Sequence, residues 1–173
     1  MKENKVKKQR YEVIGTLNNN GIVAKDELNK EVILLGKGIG FKRKAGDVIE
    51  NPGKNIKCYS LEKNTGKNVL QGVDPIFLEI ANEIIRYAEK KFGDIDTKIL
   101  LPLADHIAFS IDRIKNDMVI SNPLTSDIRL LFADEYKVAT KARKIIKRRL
   151  GYEITDDEIG YIYTDFIYPK ELK

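Results

Sequence analysis

Residues 11–41 read YEVIGTLNNNGIVAKDELNKEVILLGKGIGF, in which three short apolar segments are separated by polar turns. The segments are rich in β-branched residues, and the Asn-Gly pair that begins at Asn20 is a strong signal for a β-hairpin. A fourth segment of the same kind covers residues 57–61. The pattern therefore predicts a small antiparallel sheet of four strands over residues 11–61, with a glycine-rich loop after its third strand.

The second part of the chain has a different period. From residue 74 onward, apolar residues recur every three or four positions, as in Ile76, Ile80 and Ile84. This spacing is typical of amphipathic helices. Residues 74–173 are therefore predicted to form an all-α bundle of five helices.

Two further segments complete the predicted domain order. Residues 1–10 contain five basic side chains and are predicted to form a basic N-terminal arm. Residues 62–73 are polar, contain two glycines and are predicted to form a linker. Because four short strands bury little apolar surface alone, the sheet is expected to dimerise and complete its core.

Local signals mark several helix ends. Pro102 either kinks the second helix or lies in its first turn. Gly151 is a natural stop for a helix that begins near residue 134. Thr155 and Glu158 have the spacing of a capping box at the start of the last helix.

Composition limits the chemistry available to the chain. It has 173 residues, a net charge of +5, one cysteine (Cys58) and one histidine (His106). These counts exclude Cys/His zinc clusters, and no metal or cofactor is predicted. No apolar stretch is long enough to insert into a membrane, and none follows the basic N-terminus as in a signal peptide. Because a single cysteine cannot form an internal disulfide, a reducing, cytoplasmic location is expected.

The positive charge is concentrated near the N-terminus. Residues 1–57 hold 13 Lys and Arg against 7 Asp and Glu, whereas residues 58–173 hold 18 against 19. This asymmetry favours a polyanion-binding N-terminal domain joined to a nearly neutral module.

The glycine-rich loop has two readings from the residues alone. Glycines serve ordinary turns, and they also allow a backbone to approach a ligand closely. The loop is followed by Lys42, Arg43 and Lys44 and by no helical pattern, which argues against a dinucleotide or nucleotide phosphate cradle. A dinucleotide-dependent enzyme is therefore disfavoured.

The order of several motifs is similar to that of a known family. LNNN at residues 17–20, GKGIGF at residues 36–41 and the pair Gly46-Asp47 resemble the RNA-binding domain of BglG/SacY-type transcriptional antiterminators. Residues 74–173 resemble the first phosphotransferase-system regulation domain of the same proteins. The matching motifs there are ADHIAF (104–109), SNP (121–123), DEY (134–136) and DDEIGYI (156–162).

The resemblance implies both a function and its control. Family members bind, as dimers, a hairpin in an mRNA leader and prevent a terminator from forming. Proteins of the sugar phosphotransferase system, HPr or a sugar-specific transporter component, phosphorylate histidines in their regulation domains. The chain is not expected to be an enzyme, because a regulatory histidine accepts a phosphoryl group without turnover.

The resemblance also implies which residues meet RNA. Phe41 can stack on a base, and the lysines near it can meet phosphates. The positions carried over, together with the neighbouring Lys42, are Asn18, Asn20, Gly36, Lys37, Phe41 and Lys42.

One departure from the family pattern bears on RNA binding. The family usually has a lysine where this chain has Gly15, so one RNA contact is expected to be missing. The basic arm is a hypothetical substitute through Lys5, Lys7, Lys8 and Arg10. The departure leaves open an alternative function, a regulatory interaction module that senses phosphotransferase proteins without productive RNA binding.

His106 carries the predicted control. On its own it reads as a partly buried helix histidine, whereas by resemblance it lies in the family's phosphorylated Asp-His motif. Asp165 stands where the family usually has its second histidine. Either that site is lost, or the permanent negative charge of Asp165 holds the domain in one state.

Two other groups of residues have mainly structural readings. The basic run of residues 141–149 reads as the solvated end of a helix, with docking of an acidic transporter domain or of RNA as the alternative. Tyr161, Tyr163 and Tyr168 read as core and interface residues.

Overall fold

The chain divides into two compact units, Met1–Pro75 and Ile76–Lys173. The computed structural model describes the backbone of residues 8–171 and the side chains of residues 8–164. Of the predicted basic arm, Lys5 and Lys7 lie outside the described residues, whereas Lys8 and Arg10 are exposed.

In the described part of the first unit, from residue 8 onward, five antiparallel strands form a sheet. The strands are β1 (Arg10–Asn18), β2 (Gly21–Lys25), β3 (Glu31–Leu35), β4 (Val48–Glu50) and β5 (Lys57–Ser60). Their spatial order is β4-β1-β2-β3-β5. The prediction of four strands was wrong, because it missed β4.

The missed strand is short and lies at an edge. Ile49 is buried and pairs with Tyr11 of β1, while its neighbours Val48 and Glu50 are exposed. A strand of three residues has only one inward position, which is too few to produce a visible alternation. Its existence therefore depends on pairing with β1.

The sheet is buried on both faces. On one face, the core residues are Tyr11, Val13, Ile22, Ala24, Val32, Leu34, Ile39 and Ile49. On the other face, cross-strand pairing aligns Gly15, Val23, Ile33 and Tyr59 in one row.

A short helix, α1 (Gly66–Gly72), contacts strands β1, β2 and β3. Gly66 approaches the Val23 side chain, and its N–H donates to Glu31 Oε2 at 2.8 Å. The boundaries of the predicted linker stay a prediction, but part of that segment is a helix with contacts to the sheet. This cover helps to bury Val23 within a single chain, and dimerisation of the sheet stays a prediction.

Within the described residues, the second unit contains five α-helices, and together with α1 six α-helices follow the sheet. They are α2 (Pro75–Phe92), α3 (Leu100–Lys115), α4 (Thr125–Leu131), α5 (Ala133–Leu150) and α6 (Asp156–Glu171). Their apolar faces form the core of the unit, where Ile84, Leu103, Ile107, Ile146 and Ile162 are fully buried.

Helix ends follow the local signals closely. A 3-10 turn over Thr97–Ile99 precedes α3, so Pro102 lies in the first turn of the helix and does not kink it. Gly151 ends α5 with φ of 79° and donates its N–H to the Lys147 carbonyl at 2.8 Å. None of the helices in the described part of the chain has the length and hydropathy needed to cross a membrane.

Candidate functional site

The glycine-rich loop packs against the turn between β1 and β2. Gly36 N–H donates to the Asn20 carbonyl at 2.9 Å, and Gly38 N–H donates to Asn20 Oδ1 at 3.1 Å. Gly40 N–H donates to the Asn19 carbonyl at 3.0 Å. Asn20 therefore holds the loop through both its backbone and its side chain, and its Nδ2 amino group is the donor it can offer to a ligand.

Two residues that the sequence analysis did not single out anchor this loop. Ile39 is buried in the sheet core with 7% of its surface exposed. Gly40 is so close to the preceding turn that a Cβ there would lie 1.9 Å from the Asn18 carbonyl oxygen. The turn is closed locally by Asn18 Oδ1, which accepts from Asn20 N–H at 2.8 Å. The GxGxG pattern was the available signal for Gly40, but it did not distinguish which glycine is required.

The tip of the loop presents an aromatic ring and basic groups to solvent. Phe41 is 58% exposed, and Lys42 Nζ lies 5.4 Å from the centre of its ring. Lys37 is also exposed. Thr16 Oγ1 donates to the Arg43 carbonyl at 3.0 Å and ties the far end of the loop to β1. The fold thus gathers all six candidate RNA-binding residues into one loop and one turn.

Gly15, where the sequence predicted a missing RNA contact, faces helix α1 of the same unit. It belongs to the row of residues on the face that α1 covers, and a Cβ there would lie 2.7 Å from Leu70 Cδ1. The absence of a side chain at Gly15 therefore makes room for Leu70 of α1.

His106 lies on α3 in a cluster with a buried acid from α6. Its Nε2 is 3.3 Å from Glu158 Oε2. Arg113 donates to the same carboxylate through Nε and Nη2, each at 2.8 Å. Ser110 Oγ lies 2.7 Å from Glu158 Oε2 and can donate to it. The pattern is a bidentate arginine–carboxylate pair with a histidine and a serine beside it.

The electrostatics of the cluster keep Glu158 ionised. Burial by itself raises the pKa of this carboxyl, since only 5% of its side chain is exposed. Hydrogen bonds to His106 and Arg113, and then to Ser110, act in the opposite direction and lower the pKa from 4.5 to about 2. Glu158 is therefore a permanent negative charge facing the histidine. The capping-box spacing predicted only the bond of its backbone N–H, which donates to Thr155 Oγ1 at 3.3 Å. It did not predict the contacts of the carboxylate.

An open cleft of about 440 Å³ borders the histidine. His106 is 15% exposed, so a partner can reach the ring from this cleft. The lining combines apolar and charged side chains, namely Pro102, Asp105, His106, Phe109, Arg113, Ile120 and Tyr161. Tyr161 also forms a tilted ring contact with His106, with centroids 6.1 Å apart.

Asp165 lies on α6, but its side chain and that of Tyr168 are outside the described residues. The predicted regulatory role of Asp165 therefore stays a prediction. Tyr163 is buried with 5% exposure, and Tyr161 donates its hydroxyl to the Ser121 carbonyl at 3.1 Å.

Much of the basic run on α5 is paired within its own unit. Lys147 bonds Glu153 at 2.7 Å, and Arg149 bonds Glu79 at 2.7 Å. Arg143 pairs with Asp156, and Arg148 pairs with Glu83. These pairs favour the structural reading of the run. Among the described residues, no group of His, Cys, Asp or Glu is arranged to hold a metal ion.

Comparison with family models divides the chain in the same order as the structure. Residues 11–68 match the CAT RNA binding domain, and residues 79–168 match the PRD domain. The first match contains the loop and turn, and the second contains the His106 cluster.

Named relatives carry both regions. The chain is 33% identical over 157 residues to Protein GlcT of Staphylococcus haemolyticus, covering 88% of this chain and 55% of that protein. It is 33% identical over 151 residues to the beta-glucoside operon antiterminator of Dickeya chrysanthemi, covering 84% and 53%. The chain thus spans about half the length of the curated relatives that it matches.

A solved structure shares the fold. The crystal structure of GlcT CAT-PRDI matches with a TM-score of 0.77 and 30% sequence identity, over 90% of this chain and 95% of the other.

Proposed function

The chain belongs to the BglG/SacY-type family of transcriptional antiterminators, with a CAT RNA-binding domain before a PRD domain, and we propose that it binds an RNA hairpin in an mRNA leader. Binding would stabilise the hairpin against formation of a transcription terminator. The family is one of regulators, and no catalytic turnover is proposed for the chain. The proposed location is cytoplasmic, where nascent mRNA is made.

The observation that carries this proposal is the loop bonded onto the β1–β2 turn. It fixes the position of an exposed aromatic ring, Phe41, beside Lys42 and close in sequence to Lys37. Single-stranded bases in RNA loops stack on such rings, and basic side chains meet the flanking phosphates. The excess of basic residues in the first 57 positions supplies the long-range attraction.

The RNA test is a gel shift with a hairpin from the upstream leader at several salt concentrations. We expect affinity to fall steeply with salt, and Lys37→Ala and Lys42→Ala to reduce the slope of log affinity against log salt by about 1 each. Phe41→Ala is expected to cost about 1–3 kcal/mol at every salt concentration. Lys90→Ala, an exposed site on α2, is the matched control and should change neither quantity.

The alternative function is a regulatory interaction module that contacts phosphotransferase proteins without productive RNA binding. Gly15 favours it, because the family usually has a lysine there. Absence of salt-sensitive hairpin binding at micromolar protein would support the alternative and refute the antiterminator proposal. The contact of Gly15 with Leu70 offers a structural reason for glycine that is independent of RNA.

We further propose that phosphotransferase-system proteins, HPr or a sugar-specific transporter component, phosphorylate His106. The support is the cleft beside the ring, its partial exposure, and the position of His106 in the matched PRD domain. A neutral imidazole is a competent nucleophile for phosphoryl transfer at neutral pH. Asp165, at the position of the family's second histidine, would contribute a charge that does not change.

The phosphorylation test uses a complete phosphotransferase relay with labelled phosphoenolpyruvate. The parent chain should incorporate label, and His106→Ala should not. Because the chain has one histidine, equal labelling of the variant would assign the label to another residue type and contradict the proposal. The homodimer expected for the RNA-binding sheet is part of the proposed function, and it is tested by measuring the mass of the protein in solution.

A further inference from the structure

Glu158 is a buried acid that the proposed function does not use. Acids are rarely buried unless they are paired, and only 5% of this side chain is exposed. Its spacing from Thr155 fits a capping box, but its carboxylate extends from α6 to α3. There it meets His106, Ser110 and Arg113.

A single oxygen atom is shared by these contacts. Glu158 Oε2 lies 3.3 Å from His106 Nε2, 2.7 Å from Ser110 Oγ and 2.8 Å from Arg113 Nη2. An ionised carboxylate can only accept hydrogen bonds, so the ring nitrogen that faces it carries the proton. Any group that replaces this proton on Nε2 also has to occupy the space where Oε2 lies.

We propose that Glu158 transmits a negative charge gained at His106 to helix α6. The inference rests on the proposed phosphorylation of His106 and concerns how that modification is read. A phosphoryl group on Nε2 and the Glu158 carboxylate are both anionic, and the space between the two atoms is too small for both. The carboxylate is therefore displaced, and its contacts with α3 are lost together.

The transfer is balanced without a further reactant. The bond between phosphorus and the ring nitrogen of a phosphohistidine donor breaks, and its electron pair stays on that nitrogen. The neutral ring first passes to the tautomer that carries its proton on Nδ1, which frees the lone pair of Nε2. That lone pair forms the bond to phosphorus, and the ring then releases its proton to the donor nitrogen. His106 gains a dianionic group in exchange for a proton that had bonded Glu158.

Arg113 is the residue through which the phosphoryl group on His106 affects α6. Its guanidinium holds Glu158 in a bidentate pair, and phosphoryl groups are equally suitable bidentate partners. His106 and Arg113 lie on the same helix, seven residues apart and both within bonding distance of one carboxylate. The phosphoryl group thus competes for Arg113, which leaves the first turn of α6 without the contacts that Glu158 makes to α3.

The test uses isosteric substitutions, so that it does not depend on the relay. His106→Glu places a carboxylate at the ring position, and His106→Gln is its neutral match. Each is made in the parent chain and in Glu158→Gln, and amide hydrogen exchange is measured for residues 160–164 of α6. We expect exchange to be at least 10-fold faster in His106→Glu than in His106→Gln when Glu158 is present. In Glu158→Gln, the two should differ by less than about 2-fold.

Controls separate coupling from general weakening. Glu153→Gln removes an exposed charge from the same unit, and the 10-fold difference should persist in that background. If Glu158→Gln does not fold, Glu158→Asp takes its place; it retains the charge but withdraws it from the ring, and the difference should shrink.

Two outcomes overturn the proposal: equal exchange in His106→Glu and His106→Gln in the parent chain, or a difference that is unchanged without Glu158. Failure of the relay to label His106 would refute the proposed phosphorylation. The His106 and Glu158 variants would still show whether a negative charge at position 106 affects α6 through Glu158. If the parent is labelled, its α6 exchange should rise as in His106→Glu.

Discussion

Glu158 illustrates how one side chain combines a local and a distant role. Its backbone N–H completes the helix cap with Thr155, which the three-residue spacing predicted. Its carboxylate instead pairs with Arg113, 45 positions earlier in the chain. No local pattern indicates that contact, because it depends on where α6 lies against α3.

The charge of Glu158 predicts how stability changes in acid. Its pKa is about 2 in the folded protein and 4.5 ordinarily, so its contribution is complete above pH 4.5 and is lost as the pH falls towards 2. The difference corresponds to at most about 3 kcal/mol of the free energy of unfolding. Urea unfolding of the parent chain and Glu158→Gln between pH 6 and pH 2.5 should show the difference between them shrinking in acid. A difference that does not change with pH would contradict this assignment.

Gly40 supports a prediction about the glycine-rich loop. Gly40→Ala places a Cβ 1.9 Å from a backbone oxygen that cannot move without opening the β1–β2 turn. We expect a loss of at least about 2 kcal/mol in the free energy of unfolding, or a displaced loop with weaker hairpin binding. Gly72→Ala, which meets no atom within 4 Å, is the matched control. Equal urea midpoints for the two variants would show that the close approach is not required.

At the scale of elements, helix α1 covers part of one face of the sheet within a single chain. Because four short strands bury little apolar surface alone, the sheet was expected to complete its core by dimerisation, and this stays a prediction. Within one chain, α1 lies on one face of the sheet, against the row that includes Gly15 and Val23. A seven-residue helix with few apolar positions has too weak a period to be recognised in a polar segment.

The contact between β1 and α1 can be measured with a double-mutant cycle. Gly15→Ala should destabilise the parent by about 1 kcal/mol, because the new methyl group meets Leu70. In a Leu70→Ala background, the same change should cost nothing or stabilise the strand, where glycine is unfavourable. Urea unfolding of the four proteins gives the coupling energy. If Gly15→Ala changed the free energy of unfolding equally in both backgrounds, the contact with Leu70 would not be the cause of the change.

At the scale of the whole molecule, the proposed homodimer is the property to test, and exposed apolar side chains are suited to assembly. Within the described residues, large apolar side chains are exposed on the helical unit, including Phe109 at 63% and Leu130 at 80%. Sedimentation equilibrium should give a mass about twice 19.8 kDa at micromolar concentration. A mass of 19.8 kDa up to about 100 μM would rule out the proposed homodimer.

The sequence by itself determined the division into a sheet and a helical bundle, the glycine-rich loop and the position of His106. These features depend on periods of two and of three to four residues and on turn residues, all of which are local. Only the tertiary structure decided the edge strand β4, the helix α1 on the sheet and the pairing of Glu158 with His106 and Arg113. Each of these joins residues that are far apart in the chain, so each depends on how the elements pack and not on any pattern within one of them.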